Sequence, residues 1–183
     1  MSEKNLQRRI KGEKVLLRYV TQDDFVEFTN LTNSSRKFHH GLVTPPLDKE
    51  NFDKYLQTSL QEANRYLLIC QSSNDAIVGV VNLSQIFYKS FQNAYLGYWL
   101  GEKFAGNGFM IEAVGLVLKY AFKTLKLHRI EANVQPKNLA SINILKRAGF
   151  TKEGFSRRYL KIDKRWRDHE RWAIIVEDWR NRK

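Results

Sequence analysis

The chain has 183 residues, 43% of them hydrophobic and 13% aromatic, with only ten Gly and three Pro, which excludes a disordered or collagen-like polypeptide. Its 31 Lys and Arg against 19 Asp and Glu give a formal charge of +12, a field that draws polyanions such as nucleic acid, ribosomes or a phosphate-rich cofactor. The lone cysteine, Cys70, excludes an internal disulfide framework and multi-cysteine zinc sites, and no apolar run reaches the roughly 18 residues that span a bilayer.

No repeat, low-complexity block or linker divides the sequence, so one domain over residues 1–183 is expected, with a core of about 13–176 and short basic termini. The start, Met1-Ser2-Glu3-Lys4-Asn5, has no apolar signal-peptide core, and a cytoplasmic protein away from membranes is expected. Val15–Val20 reads as a first strand. Thr21, three residues before Asp24, resembles a capping box for a helix running to about Thr32. The prolines of Phe38–Pro46 mark a loop, and Asp48 caps a second helix with Phe52, Tyr55, Leu56 and Leu60 on one stripe.

Three strands follow, Arg65–Gln71, Ala76–Ser84 and Asn93–Leu100, the first two joined by the turn Ser72-Ser73-Asn74-Asp75 as an antiparallel hairpin. Met110, Ala113, Val114, Val117, Leu118, Ala121, Phe122 and Leu125 then recur at helical spacing. Arg129–Gln135 alternates as a strand stopped by Pro136, and Asn138 caps a helix with Ile142, Leu145 and Ala148 inward, closed by Gly149. Two last strands, Phe155–Ile162 and Arg165–Ile175, flank Asp163-Lys164. This order predicts an α/β (α+β) fold, a mixed and mostly antiparallel sheet of about seven strands with about four helices on its two faces.

Between strand and long helix lies Gly101-Glu102-Lys103-Phe104-Ala105-Gly106-Asn107-Gly108-Phe109-Met110. Gly106 and Gly108 sit where unpaired helix N–H groups and a partial positive charge can hold a phosphate. A dinucleotide fingerprint would need glycine at Ile111, and a Walker loop would need Gly-Lys-Ser/Thr. Taken alone, the two glycines are a turn that packing by itself can require.

The downstream segment Asn138-Leu139-Ala140-Ser141-Ile142-Asn143-Ile144-Leu145-Lys146-Arg147-Ala148-Gly149-Phe150 carries Asn-x-x-Ser-x-x-x-Leu-x-x-x-Gly-Phe in full. With it the chain resembles the Gcn5-related N-acetyltransferase superfamily over roughly Val15–Ile175. Leu96-Gly97-Tyr98, His128-Arg129-Ile130, Lys152-Glu153-Gly154 and Trp166-Arg167-Asp168-His169 resemble the ribosomal-protein-alanine N-acetyltransferases of the Rim type. The resemblance implies acetyl-CoA as cofactor, its diphosphate held by the loop of Ala105, Gly106, Asn107, Gly108, Phe109 and Met110. It implies that the strands Asn93–Leu100 and Arg129–Gln135 splay around the cofactor arm, which then lies along Tyr98, Trp99 and Leu100, with Asn138 and Ser141 beside it. Ala105 and Met110 depart from the family loop, the first removing a side-chain contact and the second narrowing the space. The resemblance also gives Ser141 the role of protonating the leaving thiolate.

Relatives carry a carboxylate base just before Tyr159-Leu160, where this chain has Arg158, and an arginine does not take a proton at neutral pH. Glu102, Asp168 and His169 are the remaining candidates for that role, acting through water. His39-His40 has no further ligand at metal spacing, so no metal is expected, and the resemblance puts the pair in the loop that walls the acceptor pocket. Cys70, His128 and His169 read as structural residues.

The expected function is acetylation of a protein N-terminal α-amine, such as a ribosomal protein's alanine, by a monomer or homodimer. The basic run Arg157, Arg158, Lys161, Lys164, Arg165, Arg167 and Arg171, set against Asp163, Asp168 and Glu170, would touch the ribosome or RNA. The alternatives are acetylation of a small amine (a polyamine or an antibiotic) and a catalytically weak ribosome- or RNA-binding module.

Overall fold

The consecutive apolar residues Val15-Leu16-Leu17 make a strand that buries both faces, and the rest of the fold follows from covering them. The computed structural model describes residues 9–181; the outermost residues of the expected basic termini lie outside that range. Its strands are β1 Ile10–Lys11, β2 Val15–Tyr19, β3 Arg65–Gln71, β4 Ile77–Phe87, β5 Asn93–Leu100, β6 Arg129–Val134, β7 Thr151–Ile162 and β8 Arg165–Ile175. Its helices are α1 Phe25–Ser34, α2 Arg36–His39, α3 Lys49–Ser59, α4 Phe109–Lys123, α5 Leu139–Arg147 and α6 Val176–Arg180.

The strands form one sheet in the order β1-β2-β3-β4-β5-β6-β8-β7. Every pairing is antiparallel except β5 with β6. Val15, Leu17, Leu67 and Ile69 pack on Val114, Val117, Leu118 and Leu145 of α4 and α5. Leu16, Leu68, Cys70 and Val80 point the other way, onto Phe28 and Leu31 of α1 and Phe52 of α3. The sheet is thus clothed on both faces, as the element order predicted. No helix among the described residues is long and apolar enough to cross a membrane.

The differences from the sequence reading have local causes. β1, α2 and α6 are two, four and five residues long, too short to show a period. Thr21 and Asp24 do form a capping box, but over a 3-10 turn, Gln22–Asp24, that precedes α1; Asp24 is meanwhile gripped by Arg18 at 2.6 and 2.9 Å. β7 starts at Thr151 rather than Phe155, because Lys152-Glu153-Gly154 has no apolar alternation yet pairs with β8 across a bulge. The caps at Asp48 and Asn138 are present, accepting from Asn51 N–H at 2.9 Å and Ser141 N–H at 3.1 Å.

Gly79 of β4 faces Leu100 of β5, and a Cβ there would lie 2.2 Å from the Trp99 carbonyl oxygen and 2.9 Å from the Leu100 Cα. Gly79→Ala is therefore expected to push β5 off its partner and destabilise the fold by about 1–3 kcal/mol, read as a lower urea midpoint. A second expectation concerns acid. Burial holds His39 and His169 below the ordinary imidazole pKa of 6.5. The unfolded chain then takes up protons that the fold refuses, so stability is complete above about pH 6.5 and falls below it. Thermal melts should show a lower Tm at about pH 5.5 than at about pH 7.5.

Candidate active site

β6 pairs with β8 along all of Arg129–Val134, but with β5 only from Asn93 to Tyr95. From Leu96 onward the facing edge of β5 has no strand beside it, and a cleft of about 280 Å³ opens there. This is the splay that the resemblance implied. The N-termini of α4 and α5 meet the cleft, since Gly106, Gly108, Met110, Ile111, Asn138 and Ser141 all line it.

At α4 the loop glycines are required by conformation, with φ of 81° at Gly106 and 80° at Gly108, in the left-handed region. The first helical bond runs from Glu112 N–H to the Gly108 carbonyl, so the N–H groups of Phe109, Met110 and Ile111 have no partner within the helix. No side chain crowds Gly106, and the nearest atom to a Cβ built on Gly108 would be Lys14 Nζ at 3.7 Å. A cation, a helix N-terminus and a bare glycine turn together make a cradle for a diphosphate. Lys14 was invisible to the sequence reading because it precedes β2, about ninety residues before the loop it meets.

At α5, Asn138 holds the first turn so that Ser141 Oγ lies 2.7 Å from the Tyr98 hydroxyl, which also donates to the Ser141 carbonyl at 3.3 Å. Burial pushes the Tyr98 phenol up to about 12, partly opposed by the bond to Ser141, so the phenol keeps its proton at neutral pH. The phenol has a single hydrogen: when it points at the Ser141 carbonyl the serine hydroxyl donates to the Tyr98 oxygen, and when it points at Ser141 Oγ the serine proton is left to be given elsewhere.

Of the residues picked out by sequence, Tyr98, Trp99, Leu100, Ala105, Gly106, Gly108, Met110, Asn138 and Ser141 line the cleft. Asn107 and Phe109 do not: the Asn107 amide turns back on the Phe104 and Ala105 carbonyls, and Phe109 packs against Phe104. The Trp99 ring stands edge-on to Phe28 and His39 and so also anchors β5 to the α1 side. Met110 is 4% exposed and belongs to the core as much as to the cleft.

The candidate bases fall elsewhere. Arg158 is an exposed residue of the β7 bulge whose N–H donates to Asp168 Oδ1 at 2.7 Å. Neither of them lines the cleft, nor do Glu102 and His169. His39 does; it closes α2 rather than sitting in the loop, and it is 4% exposed. Among the described residues no three acidic, histidine or cysteine side chains are grouped as metal ligands. Cys70 is buried with its thiol pushed up to about 11 by burial, and His128 meets Glu177 at 3.1 Å, both structural positions.

The site fits coenzyme A: a diphosphate cradle at one helix start, an open strand edge for the amide-bearing arm, and a hydroxyl pair at the second helix start. Comparison with known proteins agrees. The Acetyltransferase (GNAT) domain family matches residues 14–151. Probable N-acetyltransferase YjcK of Bacillus subtilis (strain 168) is 36% identical over 177 residues, 92% of this chain and 98% of that protein. The [Ribosomal protein uS5]-alanine N-acetyltransferase of Escherichia coli (strain K12) is 45% identical over 103 residues, 56% of this chain and 53% of that protein. The structure of Mycobacterium smegmatis RimJ in complex with CoA-disulfide superposes with a TM-score of 0.82 at 25% identity, over 93% of this chain and 86% of that one. Signature, open strand edge and relatives converge: the chain belongs to the GNAT acetyltransferases and is an acetyl-CoA-dependent N-acetyltransferase.

Proposed function

We propose that this enzyme acetylates the N-terminal α-amine of a protein, with a ribosomal protein's alanine as the favoured acceptor, and that Ser141 is its proton donor. Bound acetyl-CoA supplies the activated acetyl group. The N–H groups at the start of α4, with Lys14, hold the diphosphate end. The backbone of Tyr98–Leu100 on the open edge of β5 aligns the arm and offers N–H groups to the thioester oxygen. Ser141, fed by Tyr98 at 2.7 Å, gives the departing sulfur its proton, and the first turn of α5 favours negative charge there.

The observation that carries the acceptor reading is the charge of the cleft. Among the described residues no Asp or Glu lines it, while Arg147 does. A polyamine or an aminated antibiotic is multiply cationic and would find no counter-charge. An α-amine has a pKa of about 7.7–8.0 against about 10.4 for lysine, so baring a lysine costs roughly 3.5 kcal/mol more. A cleft without a carboxylate therefore suits the weaker base. The exposed arginines and lysines of the β7–β8 hairpin, Arg157, Lys161, Lys164 and Arg165 among them, support an acceptor that sits beside RNA. The uS5-alanine specificity of the E. coli relative supports the same reading.

Incubation with labelled acetyl-CoA and a panel of alanine-ended peptides, lysine side chains and polyamines should put label on the peptide N-termini; preference for a polyamine or for lysine would overturn the acceptor assignment. Ser141→Ala should slow single-turnover transfer roughly 10²- to 10⁴-fold while leaving coenzyme A affinity by calorimetry nearly unchanged. Gly108→Ala should do the reverse and weaken coenzyme A binding first, because an L residue resists the φ of 80° that the cradle needs.

A further inference from the structure

Giving sulfur a proton is half of the transfer; the incoming nitrogen must also lose one. Among the described residues three side chains of the cleft lining titrate: His39, Tyr98 and Arg147. Tyr98, pushed up to about 12, is a donor at neutral pH, and an arginine takes up no further proton. His39 remains, and its surroundings settle which nitrogen is available. Its Nε2 lies 2.8 Å from the Leu100 carbonyl oxygen. A carbonyl oxygen only accepts, so the hydrogen is on Nε2, and the neutral ring carries its lone pair on Nδ1. That Nδ1 is buried and has no hydrogen-bond partner. The ring is fixed by Trp99, centroids 5.1 Å apart, and by Phe38 at 5.6 Å. An imidazole acceptor in the wall of a substrate cleft, clamped in one tautomer and left unsatisfied, is arranged for a ligand's N–H.

We propose that His39 is the proton acceptor of the acetyl transfer, its Nδ1 taking a proton from the attacking nitrogen, directly or through one water. This rests on the acetyltransferase chemistry above but not on the identity of the acceptor. The amine nitrogen forms its bond to the acetyl carbon as the carbon–sulfur bond breaks. One proton passes from that nitrogen to His39, and one passes from Ser141 to the sulfur. Exchange with solvent then returns the proton held by His39 to the Ser141–Tyr98 pair, so the enzyme ends as it began.

The charges around the ring agree with a neutral base. Glu102, on the turn after β5, is the carboxylate that pulls toward protonation, while Arg36 and Lys37 lie on the helix of His39 itself and His40 follows it. Burial outweighs the pull of the Leu100 carbonyl and Glu102, and it holds the imidazole below its usual range. The base is therefore ready at pH 7 and is lost on acidification.

His39→Gln tests this, because the glutamine amide can still donate to the Leu100 carbonyl but offers no basic nitrogen. Single-turnover acetylation by the variant should fall roughly 10²- to 10⁴-fold, with the Kd for coenzyme A within about twofold of wild type. The wild-type pH–rate profile should fall through two protonations on its acid side, that of the acceptor amine and, at lower pH, that of His39, and the variant should keep only the first. Nitrogen NMR of the unmodified enzyme should show the hydrogen on Nε2, and the Nδ1 resonance should shift when coenzyme A and an unreactive acceptor analogue bind. Transfer by His39→Gln within about threefold of wild type, with the second protonation kept, would overturn the proposal. So would a hydrogen found on Nδ1, a result that stands even if the variant does not fold. Absence of any thioester turnover by the wild-type enzyme would instead strike the acetyltransferase reading.

Discussion

The site depends on a strand pair that stops early. β5 and β6 stay together for three residues and then part, because β6 keeps all of its antiparallel bonds to β8 and follows that strand instead. An abandoned strand edge inside a protein is costly, since its N–H and C=O groups must find partners or water. Here it becomes a binding surface. The free edge of β5 runs along the cleft, and an extended, amide-bearing ligand can restore the bonds that β6 gave up. Both helix N-termini then fall at the opening, because α4 follows β5 through the glycine loop and α5 follows β6 after Pro136.

That arrangement divides the chemistry along the cleft. The α4 end offers fixed positive potential from N–H groups and Lys14, which suits phosphates. The α5 end offers Ser141 beside Tyr98, two hydroxyls with no formal charge. Among the described residues neither end adds a carboxylate. A buried anion near the nucleophile would stabilise an ammonium and raise its pKa, so keeping acids out favours an amine that arrives already neutral. Of the carboxylates that sequence reasoning nominated, Asp168 is used structurally on the Arg158 N–H, and Glu102 sits on the turn after β5, outside the cleft lining.

Most of the fold was legible because its periods are long and clean: β2, β3 and the fifteen-residue α4 carry their burial pattern in the sequence. The two helix caps and the glycine turn were legible for the same reason, since local chemistry fixes local geometry. The glycine loop gained its meaning only from the signature thirty residues on, because a turn required by packing and a turn required by phosphate look alike in isolation. What stayed hidden was long-range. Lys14 reaches the loop only once β2 lies beside α4, and the start of β7 shows only as a pairing with β8 across a bulge.

His39 shows the limit most clearly. In sequence it is one of two adjacent histidines ahead of a proline-marked loop, and nothing local separates them. The fold does: His40 is exposed, with its side chain near Asp163, while His39 is drawn inward by the four-residue helix α2 onto the Leu100 carbonyl. That carbonyl is near the end of β5, whose register is held from the other side by Gly79, where no side chain would fit. The position of a candidate base is thus set by a glycine forty residues away in sequence and by the same strand that aligns the ligand. A shift of β5 would move the thioester's support and the imidazole together, which keeps the reacting groups in step when the strand adjusts.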